Sequence, residues 1–276
     1  MNITTKLLLV STFLLPIHLP AQTMMFSANP LKKNELCAFV RFQHFETKEK
    51  YNWNLNEWQD LTADKETVKS MYLPMIGYGI NHKLSAFAQF PIYRQIQNHI
   101  SDSYFNEILL MSRYALIPAS GKKSGISLIG AFRFPTESAA HNPFADGSID
   151  IILGEIFSTK WYGKWRTHIK SEYAITTKND AKINPGDEFK VLLKQGYKWW
   201  NIQLYGITKY IRKFKSRNLD DSKVDHSQSY KLVHLLGADW KIYKNFIFKS
   251  RIEIPSIAKG GSNYHQKFSC DLVYYI

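Results

Sequence analysis

The sequence predicts an all-β protein, a closed antiparallel up-and-down transmembrane β-barrel of about twelve strands. Three observations support this fold class. Segments in which apolar and polar residues alternate recur along the 276-residue chain, as strands with one oily face require. Long and short connections alternate between these segments, and aromatic residues lie at the segment ends. Both features are typical of barrels that cross an outer membrane.

The alternation is clear within segment 164–175, where Trp165 and Ile169 take one phase and Arg166 and Lys170 take the other. Most segments reach the roughly 9–11 residues that a tilted membrane strand needs. The predicted strands cover residues 35–45, 67–80, 83–92, 104–116, 125–134, 149–158, 164–175, 188–197, 199–210, 230–239, 245–254 and 267–276.

The connections between these segments are sorted by length. An even number of strands with long loops at one end and short turns at the other places both termini at the short-turn, periplasmic end. A soluble sandwich of strands gives no reason for such sorting. The short connections are Asn81-His82, 117–124, 159–163, Lys198 and 240–244, and the long ones are 46–66, 93–103, 135–148, 176–187, 211–229 and 255–266.

The last strand is the ending "KFSCDLVYYI", in which Phe268, Leu272, Tyr274 and Ile276 share one face. We expect this face to contact lipid, and the strand to pair with the first one at 35–45, because a sheet in lipid cannot keep an open edge. An aromatic-rich final strand also resembles that of outer-membrane proteins in general, in which it is an assembly signal. The resemblance implies the outer-membrane assembly machinery as a partner.

The N-terminus has the pattern of a secretory signal peptide: Lys6, the apolar run 7–15, and the small residue Ala21 before Gln22. The apolar run is shorter than the about 20 residues of a membrane-spanning helix, and we expect cleavage after Ala21. The predicted organisation is therefore a signal peptide (1–21), a short N-terminal periplasmic segment (22–34) and a transmembrane barrel (35–276).

The formal net charge of +13 favours anionic partners. Lipid headgroups, including those of lipopolysaccharide, and small anionic solutes fit an exported chain, whereas the export signal argues against nucleic acid. The predicted location is the outer membrane of a Gram-negative cell.

Three stretches between residues 72 and 210 carry a family resemblance: "MIGYGINHKLSAFAQFPIY", "YFNEILLMSRYAL" and "GISLIGAFRFPTESAAHNPFADGSIDIILG". In the order of their strands, turns and "F-P" strand ends they resemble the channel-forming transporters associated with the meta-pathway of phenol degradation. The resemblance implies a membrane barrel and passage of small solutes, including aromatic ones. Larger fatty-acid and hydrocarbon channels carry a substantial N-terminal plug, and the short stretch Gln22 to Asn34 predicts none of that kind.

The strand phases place charged side chains inside the barrel, with basic groups outnumbering acidic ones about two to one, which would raise the local concentration of anions in a narrow passage. Alternatively, these groups pair with one another and simply fill a barrel of intermediate bore; the sequence leaves both possibilities open. The predicted lumen-lining residues, which would form a solute path, are Arg41, Glu107, Arg113, Arg133, Arg166, His168, Lys170, Glu172, Lys190, Lys194, Lys249, Arg251 and Glu253, and the same phases add Glu188, Lys209 and Asp271.

A passive channel or binding barrel is the function this pattern favours, and a membrane-embedded lipid hydrolase or a partner-docking barrel is the alternative. A hydrolase needs a base within hydrogen-bond reach of its nucleophile. The loop sequence "DHSQS" (225–229) lacks the arrangement of a lipase motif, and Ser171 points away from His168 and Glu172. The histidines also lack metal-ligand spacing, so we predict no metal site. With no nucleophile beside a base, we also predict no enzyme, and we predict no cofactor.

Cys37 and Cys270 fall in the first and last strands, which we expect to be neighbours. Their phases are opposite, with Cys37 towards the lumen and Cys270 towards lipid. A disulfide needs Cβ atoms about 3.8 Å apart that point towards each other, so we predict two free thiols.

Overall fold

A computed structural model describes residues 27–276 except for 63–64, 98–99, 106, 121–122, 137–146, 162, 180–181, 219 and 265. The predicted signal peptide therefore lies outside the described residues. In the part of the chain that is described, no helix is long and apolar enough to cross a bilayer. The strands are β1 (Leu36–Thr47), β2 (Glu49–Asn52), β3 (Glu57–Asp60), β4 (Thr67–Gly79), β5 (Leu84–Gln89), β6 (Ile92–Gln97), β7 (Ile100–Phe105), β8 (Ile108–Ile117), β9 (Gly125–Phe134), β10 (Asp150–Trp161), β11 (Trp165–Thr176), β12 (Glu188–Trp199), β13 (Ile202–Lys213), β14 (Ser229–Tyr243), β15 (Phe246–Lys259), β16 (Ser262–Asn263) and β17 (Lys267–Tyr275).

Twelve of these strands close into an antiparallel barrel, which confirms the predicted fold class. The order around the barrel is β1, β4, β5, β8 to β15 in sequence, and β17, which returns to β1. At the seam, Cys37 of β1 lies opposite Gly77 of β4 on one side and Tyr275 of β17 on the other. Leu36 and Ile276 exchange backbone hydrogen bonds of 3.2 and 2.8 Å, so the start of β1 and the last residue meet at the short-turn end.

Two additions lengthen the wall at the long-loop end. Strands β6 and β7 form a hairpin, and β6 continues along β4 after the interruption at Phe90-Pro91. The prediction of a loop at 93–103 was therefore wrong. Strands β2, β3 and β16 form a separate three-stranded sheet above the same end.

Two predicted turns were also misplaced. Strand β12 runs on to Trp199, so the turn is Trp200-Asn201 rather than Lys198, and Trp200 adopts the left-handed φ of 53° that this tight turn requires. Strand β14 runs to Tyr243, which moves the following turn to 244–245. The alternating pattern continues past the membrane-facing region in both hairpins, and hydrophobicity alone does not mark where the chain reverses.

The outer surface is apolar between two sets of aromatic residues. On the last strand, Phe268, Leu272, Tyr274 and Ile276 are exposed on the outside, as the sequence predicted. Tyr and Trp side chains suit the membrane interfaces because each has an apolar ring and a polar atom. The exposed aromatic residues near the short-turn end are Tyr78, Tyr114, Trp161, Trp165, Trp199, Trp200, Trp240, Tyr243 and Tyr274.

The chain that precedes β1 runs inside the barrel. The backbone N–H of Ala28 donates to Ser158 Oγ (2.8 Å), the Ala28 carbonyl accepts a hydrogen bond from Ser127 Oγ, and the Leu31 N–H donates to Ser85 Oγ (2.8 Å). These serines belong to three different strands. Residues 27–31, here called the inner segment, thus form a short plug near the short-turn end, although the sequence predicted no substantial one.

Apolar side chains pack around the inner segment. Leu31 contacts a buried cluster that draws on β1, β4, β5, β15 and β17, while Ala28 packs against Ile129 and Ile156. Burial of this cluster favours the inserted position through the hydrophobic effect. The buried members around Leu31 are Cys37, Phe39, Met71, Leu73, Met75, Phe87, Ile247 and Val273.

Cys37 and Cys270 do not bond to each other. Cys37 faces the lumen opposite Tyr275, whereas Cys270 lies opposite Phe42 in the same pair of strands. The separation follows from the opposite phases that the sequence predicted.

Gly79→Ala should destabilise the barrel and displace the backbone at Lys32, which directly follows the inner segment. A Cβ at Gly79 would lie 1.8 Å from the Lys32 carbonyl oxygen, which is backbone and cannot rotate away. Unfolding in urea should show a loss of about 1–3 kcal/mol. The matched control is Gly130→Ala, whose Cβ would meet nothing closer than Ser112 Oγ at 3.6 Å; equal stability of the two variants would contradict the packing described.

Candidate functional site: the barrel lumen

The predicted lumen-lining residues have buried or partly buried side chains on the inward positions of their strands. Glu107, Arg113, His168, Lys170, Lys194, Lys249, Arg251 and Glu253 are buried, and Arg41, Arg133, Arg166, Glu172 and Lys190 are partly buried. Arg113 donates to the carbonyl oxygen of Ser27 in the inner segment (2.8 Å). The others fall into three groups, described in turn: an ionic network along one wall, a central cavity, and a cavity at the short-turn end.

Asp271 on β17 holds two arginines at the seam of the barrel. Arg41 on β1 donates to it through Nε (2.9 Å), and Arg251 on β15 donates through Nη2 (2.6 Å to Oδ1). Arg251 Nε also bonds to Ser269 Oγ at 2.8 Å. Because one carboxylate serves two guanidinium groups, this cluster keeps a positive charge inside a wall of low dielectric.

A second buried pair extends the network to β12 and β14. Lys194 is fully buried, and its Nζ lies 3.5 Å from Asp239 Oδ2 and 3.5 Å from the ring centroid of Tyr205. Sequence reasoning missed Asp239 and Tyr205. The available signal was the alternation of Asp239 with Ala238 and Trp240, which the misplaced turn at 240–244 cut short.

At the long-loop end of this wall, Glu253 accepts hydrogen bonds from Lys209 Nζ (3.0 Å) and from the hydroxyl of Tyr264. Tyr264 lies in the loop before β17. Burial, together with the neighbouring Glu253 carboxylate, raises the pKa of Tyr264 above its usual range, so the phenol remains a hydrogen-bond donor at neutral pH.

Charged and apolar side chains both line the central cavity, of about 420 Å³, and the two sets are here called its charged wall and its apolar wall. On the charged wall, Arg133 bridges Asp150 (2.8 Å) and Glu107 (3.5 Å), and Lys170 pairs with Glu172 at 2.6 Å. Glu107 and Arg133 are both among the predicted lumen residues, and Asp150 is an addition. The apolar wall consists of Met71, Leu73, Tyr93, Leu109, Met111 and Ile152.

The turn-side cavity, of about 380 Å³, opens near the short turns and includes Lys123, Lys160 and Arg166 in its lining. None of its described lining residues is acidic. Met111 of the central cavity packs against the cluster that contains Ala28 of the inner segment, and the Ala28 N–H donates to Ser158 of the turn-side cavity. The inner segment therefore lies between the two cavities.

His168 has a serine neighbour that sequence reasoning missed. Ser158 Oγ lies 2.8 Å from His168 Nδ1 across the β10–β11 pair, whereas Ser171 lies on the outer face. Ser158 is only 3% exposed, and its oxygen also accepts the Ala28 N–H. The charges acting on His168 come from Lys194 and Arg166 rather than from a carboxylate. This geometry suits an anchor for the inner segment.

The loop sequence "DHSQS" forms a turn. Asp225 pairs with Lys215 at 2.7 Å, and Ser227 Oγ donates to the Val224 carbonyl (2.7 Å) while accepting the Ser216 N–H (2.8 Å). No group of three potential metal ligands is found within the described chain.

The fold is similar to that of an outer membrane channel from Pseudomonas putida F1, with a TM-score of 0.76 and 11% identity over 94% of this chain and 100% of that one. This similarity establishes the barrel fold that the sequence resemblance implied. The KdgM porin (TM-score 0.47, 6% identity, 86% of this chain and 98% of that one) and the CymD monoaromatic hydrocarbon channel (0.47, 8%, 94% and 93%) are less similar. Neither a protein-family model nor a curated protein matches the sequence.

Asp271→Asn should destabilise the barrel by about 3 kcal/mol, because removal of one member of a buried ionic cluster leaves the others uncompensated. Asp271 is 1% exposed and bonds to two arginines. Urea unfolding of the refolded protein in micelles, followed by tryptophan fluorescence, measures the change.

Asp225→Asn is the matched control for this variant. The ion pair between Asp225 and Lys215 lies in an exposed loop, where such a pair contributes about 1 kcal/mol or less to the free energy of unfolding. Similar losses of unfolding free energy in the two variants would contradict the stabilising role given to the cluster of Asp271, Arg41 and Arg251.

Proposed function

We propose that the protein is a non-enzymatic outer-membrane channel or binding barrel for small solutes, and that it prefers anions with an apolar or aromatic body. The central cavity carries this proposal, because its lining combines charged and apolar side chains inside a closed barrel. Its volume lies in the range of sites for small molecules.

The charged wall supports the preference for anions. The side chains of Arg133 and Lys190 remain 27% and 28% exposed although both make ion pairs, so they can still reach a solute. The turn-side cavity adds Lys123, Lys160 and Arg166 without a described acidic neighbour in its lining. Basic groups within low-dielectric walls concentrate anions.

The apolar wall supports the preference for an apolar or aromatic body. Met71, Met111 and Tyr93 face the cavity, and thioether and phenol groups make favourable contacts with aromatic rings. A purely polar ion would leave this wall in contact with water, whereas an aromatic anion would contact both walls.

The long loops point outwards and both termini lie on the periplasmic side in this proposal, as in outer-membrane barrels with short periplasmic turns. The exposed apolar belt between the aromatic residues contacts lipid, and the aromatic last strand is read by the assembly machinery. The buried position of Ser158 behind the inner segment argues against a hydrolase, since a nucleophile must reach its substrate.

The double substitution Arg166→Glu and Lys170→Glu should shift ion preference from anions towards cations. Both side chains face lumen cavities, so reversing their charge inverts the local potential. The reversal potential in planar bilayers under a salt gradient measures the shift. As a control, Lys164→Glu and Lys244→Glu reverse two exposed charges in short turns; if the lumen pair shifts the reversal potential no more than this control does, the solute path is misassigned.

Benzoate should reduce the single-channel current of the wild-type protein at lower concentration than acetate or neutral benzyl alcohol. Benzoate can pair with the charged wall while its ring contacts the apolar wall, and each control compound offers only one of these contacts. Equal block by benzoate and acetate would remove the role given to Met71 and Tyr93. Equal block by benzoate and benzyl alcohol would remove the role given to Arg133 and Lys190.

A further inference from the structure

A cleft at the long-loop rim has a strongly basic lining. It measures about 1010 Å³ and lies where β11, β13 and β14 meet the loops 177–187 and 214–228. Among the described lining residues, only Asp187 is acidic. The basic residues of this cleft, here called the rim cleft, are Arg212, Lys213, Lys215, Arg217, Lys223 and Lys259.

One side of the rim cleft belongs to the outer face of the barrel. Arg212 is exposed there, between Phe189 of β12 and Tyr230 of β14 in the register of the sheet, and Tyr230 lies opposite Lys259 of β15. The next outward residue of β13 towards the membrane is Tyr210. Positive charge therefore begins where the apolar belt ends, which is the level of the lipid headgroups.

The charges of the rim cleft are only partly compensated by the protein. The Asp187 carboxylate already accepts hydrogen bonds from the Tyr173 hydroxyl (2.8 Å) and from the Thr176 N–H (3.0 Å). Lys215 pairs with Asp225. Three cations of the rim cleft are exposed: Arg212, Arg217 and Lys223. None of them belongs to an ion pair found among the described residues.

Hydrogen bonds join the two loops that border the rim cleft. Asn184 and Arg217 exchange backbone hydrogen bonds of 2.9 and 2.8 Å, and Ser216 Oγ donates to the Pro185 carbonyl at 2.8 Å. Gly186 has a φ of +92°, and a Cβ there would lie 2.4 Å from the Phe214 carbonyl oxygen. Such a framework reduces the entropy lost when a ligand binds.

We propose that the rim cleft binds the phosphate groups of an outer-leaflet lipid, a phosphorylated glycolipid of the lipid A type. Guanidinium and ammonium groups bind phosphate through short, charge-assisted hydrogen bonds. The acyl chains would lie along the apolar outer surface below, beginning at Tyr210, and tyrosine rings suit this interfacial depth. The site goes beyond the proposed function because it lies at the rim and its outer side, with Tyr210 and Arg212, faces lipid; it shares with that function only the outward orientation of the long loops.

The test compares lipids on the purified full-length barrel in detergent, with bound lipid counted by native mass spectrometry. The wild-type protein should retain bis-phosphorylated lipid A at least about tenfold more tightly than dephosphorylated lipid A. The triple variant Arg212→Gln, Arg217→Gln and Lys223→Gln should lose this preference. A matched triple variant in the short turns, Lys83→Gln, Lys164→Gln and Lys244→Gln, should keep it because it removes the same charge at the opposite end.

Equal retention of the two lipids by the wild-type protein would overturn the proposal, and so would an unchanged preference in the rim variant. Complete displacement of lipid A by millimolar inorganic phosphate would also overturn it, because the site would then bind a soluble anion. Heat-modifiable gel migration checks that each variant is folded. Single-channel conductance of the same samples separates the two proposals: the rim variant should conduct like the wild-type protein, and a wild-type barrel that binds lipid A without conducting would contradict only the channel.

Discussion

The structure depends on one constraint: a sheet surrounded by hydrocarbon must pair all its backbone groups, so its first and last strands have to meet. The pairing of β1 with β17 meets this requirement. Closure also decides the fate of every side chain, because alternate residues then face either lipid or a confined interior. The interior of a barrel with twelve strands is intermediate between that of a filled eight-stranded barrel and that of a wide porin. Ion pairs, two cavities and the inner segment share it.

The ion pairs and the short plug therefore both fill space inside the barrel. Along β12 to β15 and β17, cations and carboxylates compensate one another at the expense of open volume. Near the short turns, serine side chains on three strands form hydrogen bonds with the backbone of residues 27–31 instead of with water. What remains open includes a cavity whose lining is both charged and apolar.

Local alternation was enough to predict the number of barrel strands and the exposed face of the last strand, because alternate residues of a strand point to opposite faces of the sheet. It was not enough for contacts between distant residues. Ala28 meets Ser158 across 130 positions, and nothing in the stretch before the first strand has a period. The hairpin β6–β7 was missed for another reason: it extends beyond lipid, where both faces of a strand meet water and the polarity contrast that marks a strand weakens.

The cluster at Asp271 has a consequence for how such a chain is made. Its carboxylate sits on the final strand, whereas the guanidinium groups it compensates sit on the first strand and on β15. An incomplete barrel would thus present two bare cations to a membrane interior that tolerates them poorly. Asp271 reaches both arginines only once β17 pairs with its two neighbours, so electrostatics opposes the insertion of a half-closed barrel. Closing the wall and partly compensating these two charges are therefore a single event.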